Sequence, residues 1–588
     1  MISETRLRTA YFFCLAAILL VFMHLFLPNM GGTMAMPFEY LVWLGIFTII
    51  LLAVFQALRA GELVLPTFRL YVFGFAALLL ASSVFNPILN PQLFAIEALR
   101  FVALIVLWLA LHQFPLEGRD RERLLLLIFA SGAIEAVIGM LQFHGIPTVI
   151  PLLPPTAAQA GSIWGVFQQK NLYASWMALA LVVSLHLVTT ETFRALRPFA
   201  RAAFLASVGL MAAGLMLAAS RTGLLGFAAG AAALLAARFS HYRQARRYVL
   251  AWGAVLLAGV AYGVAPVGGE RTLETYQATM LKDKESSNVR RLLMYETSFE
   301  MFKDKPLVGH GFANFAALYA YYQADVIEAQ PHYRPVVDSG FTSHPHNEAL
   351  KILVEGGLTG LAAMLILAWG FARLLWRLPR EQAGVGVALL APIGLHILTE
   401  FPLQLSAVHS LGFVLLCYLV TAHFTERKSL PRARVVTAAG MAVAGLLYLG
   451  LAGYTLRTFY EYMNYTIFHI KISEKKIVSF ANLEPAVDNG YLRNWAEPEY
   501  MMSQALAAIP DIAGNGKFIK HYLRWSQQEK RRHPTAVVFN TEVEVWKALW
   551  NNDPRPAYRK LALLAVDQGL HLYPNDAALL SHKEELRP

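Results

Sequence analysis

Charge is scarce in this chain, and so is cysteine. Only 15% of the 588 residues are Asp, Glu, Lys or Arg, against 56% hydrophobic residues, too little charge for the surface of an ordinary soluble protein. The two cysteines, Cys14 and Cys417, both fall inside apolar stretches, which excludes a disulfide framework and a cysteine metal site. What the chain has instead is apolar sequence in blocks of about twenty residues, with a mean hydropathy of +0.46. That pattern predicts an all-α polytopic membrane protein. The net charge of +11 does not point to nucleic acid, because the arginines sit in short clusters between apolar blocks, where they orient helices. Residues 1–27 combine basic residues with an apolar run, as a signal peptide does, but the many spans that follow predict an uncleaved first helix.

Candidate spans lie at 9–27, 40–58, 68–84, 94–112, 124–143, 172–188, 200–219, 222–238, 248–266, 349–375, 384–400, 409–424 and 434–456, about thirteen helices. The loops between them are of two kinds. Basic clusters such as Arg119, Arg121 and Arg123, or Arg238, Arg243, Arg246 and Arg247, alternate with loops poor in Lys and Arg such as "FNPILNPQ". The positive-inside rule makes the basic loops cytoplasmic. The amino terminus is then expected inside and the carboxyl terminus outside.

On the outer side positive charge is rare. Lys170 precedes the sixth span, Arg221 stands in the turn "ASRTG", and Arg290 and Arg291 lie in the one long outer loop, 267–348. Each taken alone reads equally well as an interfacial side chain with its charge in water. Together they point to an anionic ligand at the outer surface, since arginine's planar fork donates two charge-assisted hydrogen bonds to a phosphate at once. The long loop opens with polar sequence, "GGERTLETYQATMLKDKESSN", and turns helical in "VRRLLMYETSFEMFKDKP". A glycine-rich turn, "LVGHGFANF", follows Pro306, and the loop closes on "TSHPHNEAL" at the membrane re-entry point.

In that last stretch a neutral imidazole at His346 or His344 is a candidate general base for a hydroxyl. The competing reading is an interfacial histidine that caps the helix or bonds a backbone carbonyl. Metal ligation is not expected, because His-x-His with Glu348 lacks a companion set of Cys, Asp or His. In the fourth span Glu97 and Arg100 lie three apart on one helix face, and mutual neutralisation inside the bundle is the expected role.

The stretches "GVFQQKNLYASWMALAL" (165–181), "SRTG" (220–223), "RLLMYETSFEMFKDKPLVGHGFANF" (291–315), "HPHNEALKILVEGGLTGL" (344–361) and "HILTEFPL" (396–403) occur in this order. In sequence and order they resemble the O-antigen ligase and polymerase superfamily, and within it bacterial protein O-oligosaccharyltransferases of the PglL type. The resemblance implies a GT-C-like glycosyltransferase of the inner membrane that needs no metal or other cofactor. It implies transfer of a whole glycan from undecaprenyl pyrophosphate to a Ser or Thr hydroxyl of a periplasmic protein such as a pilin or lipoprotein, with inversion at the anomeric carbon. His346, directly before Asn347, matches the family's His-x-His-Asn base, with His344 second. Arg221 and Arg291 are assigned to the pyrophosphate, with Arg290 a neighbour and Lys170 a further cation. Gln168, Gln169 and Asn171 are expected to bind sugar or pyrophosphate oxygens, or simply to form a polar helix start. Glu400 is expected to orient the base or an arginine. Lys170 departs from the uncharged residue that the family pattern favours, and an aromatic residue expected near the end of "EFPLQLSAVH" is missing.

Two domains are expected: a transmembrane glycosyltransferase domain over 1–456 and a helical periplasmic domain over 457–588. The latter is charged and rich in aromatics, without a repeat of fixed period. Its expected task is to contact the acceptor. An O-antigen ligase acting on lipid A core, a polymerase, or a transporter of a lipid-linked glycan are the alternatives. A transporter predicts charged groups near the midplane and internal repeats.

Overall fold

The computed structural model describes residues 3–27, 29, 37–146, 163–265, 284–337, 340, 342–430, 433–474 and 479–587. Its longer helices are α1 (Glu4–Leu20), α2 (Pro37–Ala60), α3 (Arg69–Ala81), α4 (Pro91–Leu111), α5 (Asp120–Phe143), α6 (Lys170–Leu187), α7 (Pro198–Leu217), α8 (Arg221–Ala237), α9 (Arg246–Val264) and α10 (Lys284–Asp304). They continue as α11 (Phe315–Ala329), α12 (Glu348–Arg377), α13 (Arg380–Ile397), α14 (Ala407–Thr421), α15 (Arg434–Ser473), α16 (Arg493–Ala508), α17 (Gly516–Arg532), α18 (Ala536–Asn552), α19 (Pro556–Leu572) and α20 (Ala577–Glu585). All thirteen apolar segments are helical. Among the described residues, eight helices are long and apolar enough to cross a membrane, and Arg69–Val84, Arg221–Ala237 and Ala407–Thr421 are shorter apolar helices. Of the remaining two, α6 is buried along nearly its whole length, whereas α13 buries only part of its surface.

Three sequence expectations shift. Helix α10 begins at Lys284, ahead of the expected start, and the polar stretch before it lies largely outside the described residues. A further helix, α11, follows the glycine-rich turn. The last apolar helix continues to Ser473. One small sheet interrupts the all-helical fold: β1 (Glu62–Pro66) and β2 (Thr425–Ser429) pair antiparallel, with Leu63 opposite Lys428 and Val64 opposite Arg427.

The chain forms two compact units. The first comprises residues 1–73, 101–282 and 367–459, and α6 is its axis. Of the side chains on α6, Trp176 and Tyr173 are fully buried. Small residues let neighbouring helices approach it closely. A Cβ on Gly223 of α8 would lie 2.6 Å from that of Ala174, and one on Gly132 of α5 would lie 2.4 Å from that of Ala180. The cysteines are free, Cys14 donating from Sγ to the Gly45 carbonyl.

The second unit comprises residues 74–100, 283–366 and 460–588. Helix α10 packs on α11, and α11 packs on α17 and α19. Helices α16 to α20 form a helical layer with apolar cores around Tyr522 and Trp525, and around Val543 and Val566. At its centre the Lys530 ammonium meets the Glu542 carboxylate at 2.9 Å, and Ser526, Gln527 and Trp546 also donate to that carboxylate.

Candidate functional site

In the first unit three of the five diagnostic stretches meet. Gln168 adopts a left-handed backbone (φ +53°), Gln169 is the N-cap of α6, and Lys170 and Asn171 form its first turn. Ala219 repeats this geometry (φ +49°) before Ser220, the N-cap of α8, whose first residue is Arg221. The Ser220 hydroxyl accepts from the Gly223 amide at 3.3 Å and donates to Asn171 Oδ1 at 2.7 Å. Asn171 Nδ2 donates to Glu400 Oε1 at 3.1 Å, and the hydroxyls of Thr222 and Thr399 are 3.1 Å apart. The starts of α6 and α8 and the turn after α13 are thus tied by side chains. Glu400 is buried, whereas Lys170 and Arg221 are exposed. Both cations occupy the first position of a helix, where the macrodipole is positive and disfavours them by about 0.3–1 kcal/mol. Two cations thus stand against the local helix-dipole preference at neighbouring helix starts.

One turn further along, Ser175 lies below Asn171 and His396 lies below Glu400. His396 Nδ1 is 2.9 Å from Ser175 Oγ, so Asn171–Glu400 and Ser175–His396 form two successive rungs between α6 and α13. His409 of α14 joins them: its Nε2 lies 3.1 Å from the Leu172 carbonyl and 3.0 Å from Ser175 Oγ. The carbonyl can only accept, so His409 carries its proton on Nε2. From the other side Glu135 and Gln142 of α5 clamp the preceding loop. Glu135 Oε1 accepts from the Val166 amide at 2.7 Å, and Gln142 Oε1 accepts from the amides of Trp164 and Gly165. Glu135 is itself buried and pairs with His24 Nδ1 at 3.1 Å. Sequence reasoning missed Glu135, Ser175, His396 and His409. For Glu135, His396 and His409 the available signal was an ionisable side chain inside an apolar block; Ser175 carried none.

The second unit holds Arg290, Arg291, His344, His346 and Asn347. Arg290 is exposed and Arg291 half-buried on α10. Asn347 Oδ1 accepts from the Leu350 amide, which opens α12. His346, half-buried directly before it, has φ +52°. His344 is buried, with Nε2 3.4 Å from Glu348 Oε2. Burial pushes the His344 imidazole below its usual range, partly opposed by Glu348, so it is neutral at pH 7.

The turn after Pro306 is stitched to a kink in α12. Gly357 (φ +59°, ψ −143°) breaks the helical ladder. The carbonyls of Val354 and Glu355 accept from the amides of His310 and Gly311, while Leu358 and Thr359 donate to Pro306 and Leu307. Only glycine fits at Gly309, because a Cβ there would lie 2.4 Å from the Glu355 carbonyl carbon at a φ of +64°. Glu355 Oε1 also accepts from the Phe315 amide. The expected pairing within α4 is revised: Glu97 forms its ion pair with Lys351 of α12 at 2.6 Å, and Lys351 lies 3.9 Å from Glu355. The buried ammonium between two carboxylates is a closer partner for Glu97 than helix-face spacing alone suggested. Among the described residues no group of three or more His, Cys, Asp or Glu could hold a metal ion.

Eight helices long and apolar enough to cross a membrane, among the described residues, define an all-α polytopic membrane protein. Residues 206–365 match the O-antigen ligase family, and residues 385–578 match the family described as virulence factor membrane-bound polymerase, C-terminal. The chain thus carries an O-antigen ligase family domain followed by a membrane-bound polymerase C-terminal domain, consistent with the O-antigen ligase superfamily. No curated protein matches it significantly.

Proposed function

We propose that the protein is an inner-membrane oligosaccharyltransferase that moves a glycan en bloc from undecaprenyl pyrophosphate to Ser or Thr hydroxyls of periplasmic proteins. The observation that carries this reading is that the ligase-family match over 206–365 covers the positions of Arg221, Arg290, Arg291, His344 and His346. In this reading the thirteen apolar helices span the membrane, the basic loops are cytoplasmic, and residues 457–588 form an outer domain that meets the acceptor.

The acceptor oxygen attacks the anomeric carbon as the bond from that carbon to the pyrophosphate oxygen breaks. The hydroxyl proton passes to His346, and the leaving undecaprenyl pyrophosphate keeps the bonding electron pair. Arg221 and Arg291 stabilise the charge developing on it, with Lys170 beside Arg221. His344, held neutral by burial, supports the loop that presents His346. Asn171 is better suited to positioning than to sugar binding, because both ends of its amide are engaged by Ser220 and Glu400.

The test is transfer by purified protein from an undecaprenyl-pyrophosphate glycan to a pilin-like or lipoprotein acceptor, comparing wild type with His346→Ala in EDTA. Transfer to protein that survives chelation and disappears in the variant is the expected outcome. Undiminished transfer by the variant removes His346 as the base. The O-antigen ligase family match favours one second reading, an O-antigen ligase, and transfer only to lipid A core would establish it.

A further inference from the structure

At the β1–β2 ladder of the first unit, beside the basic loops, the structure has a cleft of about 250 Å3. Val54 and Ala57 of α2, Leu63 of β1, Val106 and Leu109 of α4, and Leu430 line it. Gln113 also reaches it, but its carboxamide is engaged elsewhere: Nε2 donates to the Val64 carbonyl at 2.7 Å and Oε1 accepts from the Val64 amide at 3.0 Å. A wall without available polar groups does not hold ordered water, which needs two to four partners. Hydrocarbon fits instead. Val54 and Val106 are 36% and 38% exposed, so the cleft is open to the surface that lipid would cover.

Its rim is charged on one side. Residues directly opposite each other in an antiparallel ladder share a face, so Lys428 stands on the face of its partner Leu63. Leu430, two residues on, returns to that face and continues the pairing by donating to the Gly61 carbonyl. The neighbouring carboxylates are engaged, Glu62 with Arg427 at 2.7 Å and Glu426 with Arg69 at 2.8 Å. Among the described residues Lys428 has no ion-pair partner.

We propose that this cleft binds one acyl chain of an anionic glycerophospholipid of the surrounding bilayer, with its headgroup phosphate on Lys428. An apolar slot with a lysine at its mouth, on the side of the basic loops, complements that ligand in both shape and charge. The site is independent of the glycan-transfer reading.

The test titrates the purified full chain in detergent with phosphatidylglycerol or phosphatidylethanolamine and counts bound lipid by native mass spectrometry. Wild type is expected to prefer phosphatidylglycerol, and Lys428→Gln to weaken that lipid roughly five-fold while leaving phosphatidylethanolamine unchanged. Val54→Trp, which fills the cleft from its exposed rim, should remove one bound lipid of either kind. Ala57→Leu fills the same space if that variant does not fold. Equal binding of both lipids by wild type, or unchanged phosphatidylglycerol binding by Lys428→Gln, overturns the headgroup assignment. An unchanged lipid count in the filled variants overturns the cleft.

Discussion

Among the described residues, four that are not glycine have positive φ: Gln168, Ala219, Ala313 and His346. Each stands two residues before a helix start, at Lys170, Arg221, Phe315 and Glu348 respectively, and each lies in or beside a diagnostic stretch. Left-handed backbone costs an L-residue roughly 1–2 kcal/mol, and strain of this kind collects at functional sites. Ala219→Gly should therefore leave the melting temperature unchanged or raise it, whereas Gly309→Ala should lower it by several degrees; calorimetry of the two variants checks the pair. His344 gives a pH prediction. Its folded pKa lies below the usual value, so the unfolded chain binds more protons, and stability rises with pH across the interval between the two pKa values. The contribution is present above about pH 6.5 and is lost as the pH falls. His344→Gln should flatten the acid limb of a plot of melting temperature against pH. The histidines themselves were legible in the sequence as polar residues at a membrane re-entry point. Their backbone geometry was not, because a residue does not announce a left-handed conformation unless it is glycine.

Between elements, polar side chains set the register of otherwise apolar helices. Removing the shared hydroxyl with Ser175→Ala takes the Ser175 partner from the buried His396 Nδ1, while His409 Nε2 keeps the Leu172 carbonyl, a loss of about 1–3 kcal/mol. His396→Asn, which places an amide nitrogen near the Nδ1 position, should retain more stability than His396→Leu, and thermal melts compare them. In the second unit Lys351→Met leaves the buried Glu355 and the half-buried Glu97 without their cation. A loss of about 3–5 kcal/mol is expected, partly recovered in the double variant Lys351→Met, Glu97→Leu. A double variant no more stable than the single one would show that the ion pair is not the source of the loss.

For the whole molecule, the charge asymmetry of the loops predicts sidedness. In a background lacking Cys14 and Cys417, an impermeant maleimide should label Ser581→Cys in intact spheroplasts. It should label Ser240→Cys only after permeabilisation. The reverse pattern would invert the proposed topology and place the histidines on the wrong side for a periplasmic transfer.

The sequence by itself determined where the apolar helices are and that they suit a membrane, because an apolar helix satisfies its backbone hydrogen bonds within its own segment. It also determined which polar side chains stand at the helix starts. Partnership was decided only by tertiary structure. Asn171 finds Glu400 across 229 residues, Glu97 finds Lys351 rather than a neighbour on its own helix, and Glu62 finds Arg427 across 365 residues. Such pairings depend on which helix faces approach one another, and close packing of distant segments sets that where local periodicity cannot.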